Sequence, residues 1–80
     1  MSIEESFKRN EELKDKHIVL EYDGSVYIYD GADYVKDVEG APKDLKVEDG
    51  SFQKFAEQFA KKNGLTAQPE VEWKHVFRLE

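Results

Sequence analysis

With 80 residues, the chain is long enough for one small domain, and it has a formal net charge of −6. Its hydrophobic fraction of 39% is sufficient for a small core, so the composition is not that of a disordered protein. The sequence contains no cysteine, which excludes disulfides, thiol catalysis and cysteine-based zinc sites. The acidic excess argues against direct binding to nucleic-acid phosphates, which requires a basic patch.

We expect neither a membrane span nor a secretion signal. No apolar run approaches the length of a membrane span, and the sequence does not begin with a signal-peptide pattern. We therefore predict a soluble, cytoplasmic protein with one small domain over residues 1–80. Within this range, the dipeptide Leu79-Glu80 resembles the remnant that a cloning site leaves before a purification tag.

The first segment, Met1–Lys16, is highly charged and predicts a weak helix. Ser2 and Glu5 fit a capping box, in which side chains satisfy the first free amides of a helix. The apolar stripe that should follow is thin, because Leu13 lies far around the helix from Phe7. The segment is predicted either to dock through Phe7 or to stay partly disordered.

A β-hairpin is predicted over residues 17–29. Two runs rich in β-branched and aromatic residues flank Asp23-Gly24, which is a strong hairpin signal. The loop length decides which side chains share a face, because a slip of one residue reverses the face of a whole strand. A two-residue loop would pair Leu20 with Tyr27 and would mix aliphatic and aromatic side chains on both faces.

A three-residue loop is the preferred alternative. It places Gly24 in the left-handed conformation, which glycine adopts without a Cβ clash, and pairs Leu20 with Val26. This register gives one aliphatic face and one face rich in tyrosine. The aliphatic face holds Ile18, Leu20, Val26 and Ile28, and the second face holds His17, Val19, Glu21, Tyr27 and Tyr29.

A short motif, Tyr-Asp-Gly-x-x-Tyr, occurs at residues 22–27 and again at residues 29–34. We interpret it as two turns with the same Asp-Gly chemistry rather than as a duplicated recognition element. The next stretch, Tyr34–Val38, fits either a strand or one helical turn, since both periodicities match. Ala41–Gly50 contains proline, glycine and several charged side chains, which predicts a loop.

An amphipathic helix is predicted over residues 51–63. Ser51 stands at the N-cap position, and Gly64 followed by Leu65 is typical of a Schellman C-cap. Between them, aromatic residues and alanines recur at helical spacing and form one apolar stripe. The stripe consists of Phe52, Phe55, Ala56, Phe59 and Ala60.

The last predicted element is a strand over residues 70–78, in which apolar and polar residues alternate strictly. Together these elements predict an α+β fold: a small antiparallel sheet, made of hairpin 17–29 and strand 70–78, packed on helix 51–63. In the strand, Val71, Trp73, His75 and Phe77 face one way. The predicted core includes Leu20, Ile28, Phe55, Phe59, Trp73 and Phe77.

Metal and cofactor sites are not predicted. A site made of His17, His75 and Asp30 is conceivable, but the preferred hairpin register points the two histidines to opposite faces, and the spacing matches no zinc pattern. The acidic stretch from Asp30 onward has Val35 at the sixth position, where an EF-hand calcium loop requires glycine. We therefore predict no metal ligands and no cofactor-binding residues.

Catalytic residues are not predicted either. No serine or threonine stands in a recognisable nucleophile elbow, and each of the five glycines stands alone, so no phosphate-binding loop is present. Neighbouring carboxylates such as Glu4-Glu5 lie in polar stretches, where solvent would prevent the pKa shifts that acid–base catalysis needs. The sequence thus predicts a protein that is not an enzyme.

One surface remains as a candidate site: Val19, Tyr27 and Tyr29 on the second hairpin face, with Val76 near them. Tyrosine is favoured at protein interfaces because it combines a large rigid area with a polar tip. We predict a non-enzymatic protein–protein interaction module whose unknown partner is a protein, with no direct nucleic-acid or membrane binding. The partner and the oligomeric state are left open.

Three alternatives to this interface stay open. In the first, the N-terminal helix lays Phe7 across the tyrosines and buries them. In the second, the tyrosines simply suit an exposed sheet. In the third, the protein is an acidic inhibitor or mimic that binds a basic nucleic-acid-binding protein through its negative surface.

Overall fold

A computed structural model describes residues 9–80, which form a five-stranded antiparallel sheet and one helix. The elements are β1 His17–Leu20, β2 Val26–Asp30, β3 Asp33–Asp37, α1 Ser51–Lys62, β4 Ala67–Pro69 and β5 Val76–Leu79. The strands are arranged in the order β3-β2-β1-β5-β4, so β1 lies at the centre between β2 and β5. The predicted α+β fold class is confirmed. In this part of the chain, no helix is long and apolar enough to cross a membrane.

The β1–β2 hairpin has the preferred three-residue loop. Leu20 pairs with Val26, as that register requires. The Glu21 amide donates to the Ser25 carbonyl oxygen at 2.7 Å, and the Gly24 amide donates to the Glu21 carbonyl oxygen at 3.0 Å. Gly24 has a φ of 91°, the left-handed conformation expected of it. The hairpin therefore separates its aliphatic face from its tyrosine face.

The stretch that fits either a strand or a helical turn is a strand, β3. A two-residue turn, Gly31-Ala32, connects it to β2, since Asp30 pairs with Asp33. The pairing then shifts between β2 and β3, which leaves Val35 as an extra residue in a bulge. Both Asp-Gly steps of the repeated motif lie at strand ends, in agreement with their interpretation as turns. The bulge and the charged ends of β3 make it a poor template for pairing with another strand.

The start of α1 differs from the prediction. Gly50, with a φ of 78°, occupies the N-cap position, and no side chain caps the helix, so the prediction of Ser51 as N-cap is wrong. The Ser51 hydroxyl instead accepts a hydrogen bond from the Lys46 amide at 2.8 Å and donates one to Asp49 at 2.6 Å. Ser51 thus stabilises the loop before the helix rather than the helix amides.

The end of α1 agrees with the prediction. The Leu65 amide donates to the Ala60 carbonyl oxygen at 2.8 Å, and the Gly64 amide donates to the Lys61 carbonyl oxygen at 3.0 Å. These two hydrogen bonds define a Schellman motif. Leu65 is buried, as the hydrophobic contact of that motif requires.

The core lies between α1 and the aliphatic face of the sheet. The Phe52 ring meets the Phe77 ring edge to face, with centroids 5.6 Å apart. Leu79, beyond the predicted end of the last strand, is fully buried. The largest fully buried side chains are Phe52, Ile18, Ile28 and Leu79. Of the predicted core residues, Ile28 and Phe77 are buried, while Leu20, Phe55 and Phe59 are partly buried and pack against the core.

The C-terminal strand is shorter than the alternation over residues 70–78 predicts. Only β5 continues the sheet, and the preceding residues turn back so that Pro69 of β4 pairs with Phe77. The Val76 amide donates to the Trp73 carbonyl oxygen at 3.2 Å within this turn. Val71 is 99% exposed and Trp73 is 55% exposed, so the placement of Trp73 in the core is wrong.

The predicted N-terminal helix falls partly outside the described residues, which begin at Arg9. The capping box and the docking of Phe7 belong to the part that is not described. From Glu11 to Asp15 the chain forms a turn rather than a helix. Leu13 is 2% exposed and belongs to the core, so this turn closes one end of the domain.

Candidate functional site: the open face of the sheet

The sheet has one face packed on α1 and a second face, which we call the open face, with no helix over it within the described chain. The register places Val19 of β1 opposite Tyr27 of β2 and opposite Val76 of β5. Tyr29 follows on β2, two residues from Tyr27, and therefore points to the same side. The structure thus brings the four predicted site residues together. Their role in protein binding stays a prediction.

A fifth residue, Tyr34 of β3, joins the two tyrosines of β2. Its ring meets Tyr27 and Tyr29 nearly at right angles, with centroid distances of 5.6 Å and 6.3 Å. Such edge-to-face contacts are favourable because the positive edge of one ring meets the negative face of another. Tyr34 is 56% exposed, so more than half of the residue's surface is available to a partner. Five residues thus line the open face: Val19, Tyr27, Tyr29, Tyr34 and Val76.

Two carboxylates orient the tyrosine rings. The Tyr29 hydroxyl donates a hydrogen bond to Glu21 at 2.7 Å, and the Tyr34 hydroxyl donates one to Asp37. Each hydrogen bond raises the pKa of its phenol above the ordinary value of 10.0, since the charged acceptor stabilises the protonated hydroxyl. Both phenols are therefore neutral and held in place at physiological pH.

A groove of about 380 Å³ lies beside Tyr29. Trp73 forms one of its walls, and the Trp73 ring contacts the His75 ring edge to face at 5.6 Å. Sequence reasoning misses Trp73 because it assigns this residue to the core. The signal that could have placed it is length, since a nine-residue strand exceeds the hairpin strands available to pair with it. The groove is lined by His17, Val19, Tyr29, Gly31, Ala32, Glu70, Trp73 and Val76.

A hydrogen bond between His17 and Glu70 lies at the groove. The His17 Nε2 atom lies 3.1 Å from the Glu70 Oε1 atom, and both side chains are partly exposed. No three histidine or acidic side chains lie close enough together in the described chain to form a metal site. His17 therefore contacts a carboxylate, while His75 contacts Trp73.

Known proteins provide no template for this site. The chain matches no protein-family model, no curated protein and no solved structure. A fold class alone does not supply a function, because one fold hosts many unrelated functions. The function is therefore argued from the side chains of the open face and the groove.

The hydrogen-bonded tyrosines predict a loss of stability at alkaline pH. Because folding raises the pKa of Tyr29 and Tyr34, their contribution is complete below about pH 10 and disappears as the pH rises through the folded-state pKa values. We expect the urea midpoint to fall above about pH 10, and to fall less steeply in a Tyr29→Phe, Tyr34→Phe variant. Tyr22→Phe, at a fully exposed position, is the control. Equal slopes for the wild type and the double variant would contradict the prediction.

Proposed function

We propose that the protein is a non-enzymatic interaction module that binds another protein through the open face and Trp73. The observation that supports this most directly is the row of aromatic side chains on a sheet face left without a helix in the described part of the chain. Tyrosine and tryptophan are enriched at interface hot spots, where they bury a large rigid area. A cytoplasmic site of action belongs to the same proposal and is supported by the cysteine-free composition.

The arrangement of the aromatics favours binding because their side chains are already ordered before a partner arrives. Tyr27 and Tyr29 are partly buried against their neighbours, and hydrogen bonds or ring contacts fix their orientation. Tyr34 and Trp73 are the two members with more than half of their surface exposed. Association costs less free energy when the contacting side chains are already immobilised. Because Tyr34 and Trp73 expose the most surface to a partner, they are the proposed anchors, with Val19 between them.

The test combines Tyr34→Ala with Trp73→Ala. Both residues lie outside the core, so the fold should persist in the double variant. Tyr34→Ala removes two edge-to-face ring contacts and should cost about 1–2 kcal/mol in the free energy of unfolding, and circular dichroism checks that the variant is folded. With the partner captured from native cells, we expect binding measured by biolayer interferometry to weaken by at least about thirtyfold, as the loss of a hot spot does. Tyr22→Ala removes a fully exposed tyrosine from the hairpin turn, away from the open face, and should leave binding unchanged. Unaltered binding by the double variant would refute the proposed interface.

A second candidate, the acidic inhibitor of a basic nucleic-acid-binding protein, is favoured by one observation. Asp30 and Asp33 pair directly across the β2–β3 turn and are both exposed. Like charges in this arrangement normally destabilise a sheet, so their presence here fits a role for the charge itself. For the mimic, affinity should fall steeply with rising salt and on Asp30→Asn with Asp33→Asn. For the aromatic interface, binding should persist in salt and depend on Tyr34 and Trp73.

A further inference from the structure

The groove beside the open face combines three kinds of surface. Val19 and Val76, paired across β1 and β5, form an apolar floor. Tyr29 and Trp73 provide aromatic walls, and Glu70 provides a carboxylate that is 33% exposed. A volume of about 380 Å³ is at the lower end for ligand pockets, so the groove suits one long side chain better than a large ligand.

The carboxylate of Glu70 retains hydrogen-bonding capacity. Its Oε1 atom lies 3.1 Å from His17 Nε2, whereas its Oε2 atom has no hydrogen bond to any other described residue. A donor entering the groove could therefore reach Glu70 without displacing His17. A carboxylate that is partly withdrawn from water makes stronger hydrogen bonds to a cationic donor than to a neutral one.

We infer that this groove receives an arginine side chain from a basic segment of the partner protein, an inference that rests on the proposed function. A guanidinium group is planar, stacks on aromatic rings such as Trp73 and pairs with carboxylates such as Glu70. Its methylene stem would lie on the apolar floor. The net charge of −6 attracts a basic segment over a longer range than these contacts do.

One cation of this chain that lies beside the groove is already engaged. Arg78 pairs with His17 across β1 and β5 and is therefore on the side of the open face. Its guanidinium forms an ion pair with Glu80 at 3.0 Å. Glu80 also raises the pKa of Arg78, with smaller contributions from Glu70 and Asp15. Arg78 thus flanks the groove without occupying it.

The experiment is an NMR titration of the whole protein with three blocked peptides of sequence Gly-Ser-X-Ser-Gly, where X is arginine, lysine or citrulline. We expect the arginine peptide to shift the Trp73 indole and Val76 amide signals, and citrulline, which has the same shape without the charge, to shift them far less. Glu70→Gln should weaken the arginine peptide about tenfold, and Trp73→Ala about threefold. Tyr22→Ala should leave the affinity for the arginine peptide unchanged.

The outcomes separate this inference from the proposed function. No shift at Trp73 or Val76, or equal shifts with arginine and citrulline, would overturn the arginine site. If Glu70→Gln also left binding of the captured partner unchanged while Tyr34→Ala with Trp73→Ala abolished it, the interface would stand without arginine recognition. If the lysine peptide bound as strongly as the arginine peptide, the groove would recognise positive charge rather than a guanidinium group, which would refute the inference.

Discussion

Replacing Phe52 with alanine is expected to unfold most of the protein at room temperature. Phe52 is fully buried, and its ring packs on Phe77 with a centroid distance of 5.6 Å. Truncation of a buried phenylalanine to alanine costs about 3–5 kcal/mol, from lost burial and from the cavity left behind. The core of a domain this small supplies only about 3–5 kcal/mol of net stability. One substitution should therefore remove nearly all of it.

The choice of alanine makes the loss specific to packing. Alanine is the best helix former, so the substitution does not weaken α1 itself. Phe55→Ala is the matched control, since Phe55 lies on the same helix but is partly exposed. We expect it to cost about 1–2 kcal/mol. Urea unfolding followed by far-ultraviolet circular dichroism measures both, whereas the fluorescence of the exposed Trp73 would report poorly on the core. A smaller loss for Phe52→Ala than for Phe55→Ala would contradict the assignment of the core.

The parts of the fold that sequence predicts well are those with local causes. The stripe of α1 repeats at the helical period, and the hydrogen bonds of its C-cap at Gly64 join residues at the end of the helix. The hairpin register follows from the turn conformation of one residue, Gly24. In each case the interacting groups are a few residues apart, so the pattern contains the information that decides the structure.

The C-terminal region shows where a local pattern is insufficient. Alternation over residues 70–78 is typical of a strand, but a strand also needs a partner of similar length, and β1 has four residues. The surplus residues turn, which allows β4 to pair with β5 and leaves Trp73 outside the core. Pairing between strands depends on the whole chain, which is why this part differs from its prediction.

The candidate site also contains one part that local sequence predicts and one part that depends on the whole fold. Alternation and register place Val19, Tyr27 and Tyr29 on one face, and both can be read from the hairpin alone. Tyr34 joins them only because β3 is a strand, which its periodicity does not decide. The contact between His17 and Glu70 joins residues 53 positions apart, so no local motif indicates it. The groove is therefore a product of tertiary structure.

Replacing Gly24 with alanine is expected to destabilise the hairpin on which the open face depends. Gly24 has a φ of 91°, and a left-handed conformation costs a residue with a Cβ about 1–2 kcal/mol. A Cβ at this position would also lie 3.0 Å from the Lys43 carbonyl oxygen, so the backbone of the neighbouring loop would have to move. We expect a total loss of about 2–3 kcal/mol in the free energy of unfolding.

Gly31→Ala separates the two causes of this loss. Gly31 also has a positive φ, of 64°, but a Cβ there would have no atom within 4 Å. It should therefore show the backbone cost alone, about 1–2 kcal/mol. Urea unfolding compares the two variants, and cross-strand nuclear Overhauser effects between Leu20 and Val26 report the register. A slip of one residue would bring Tyr27 opposite Leu20 and mix the two faces. Equal losses for both glycines would show that the contact with Lys43 has no energetic weight, and the strain of the turn alone would then determine how the tyrosines are sorted.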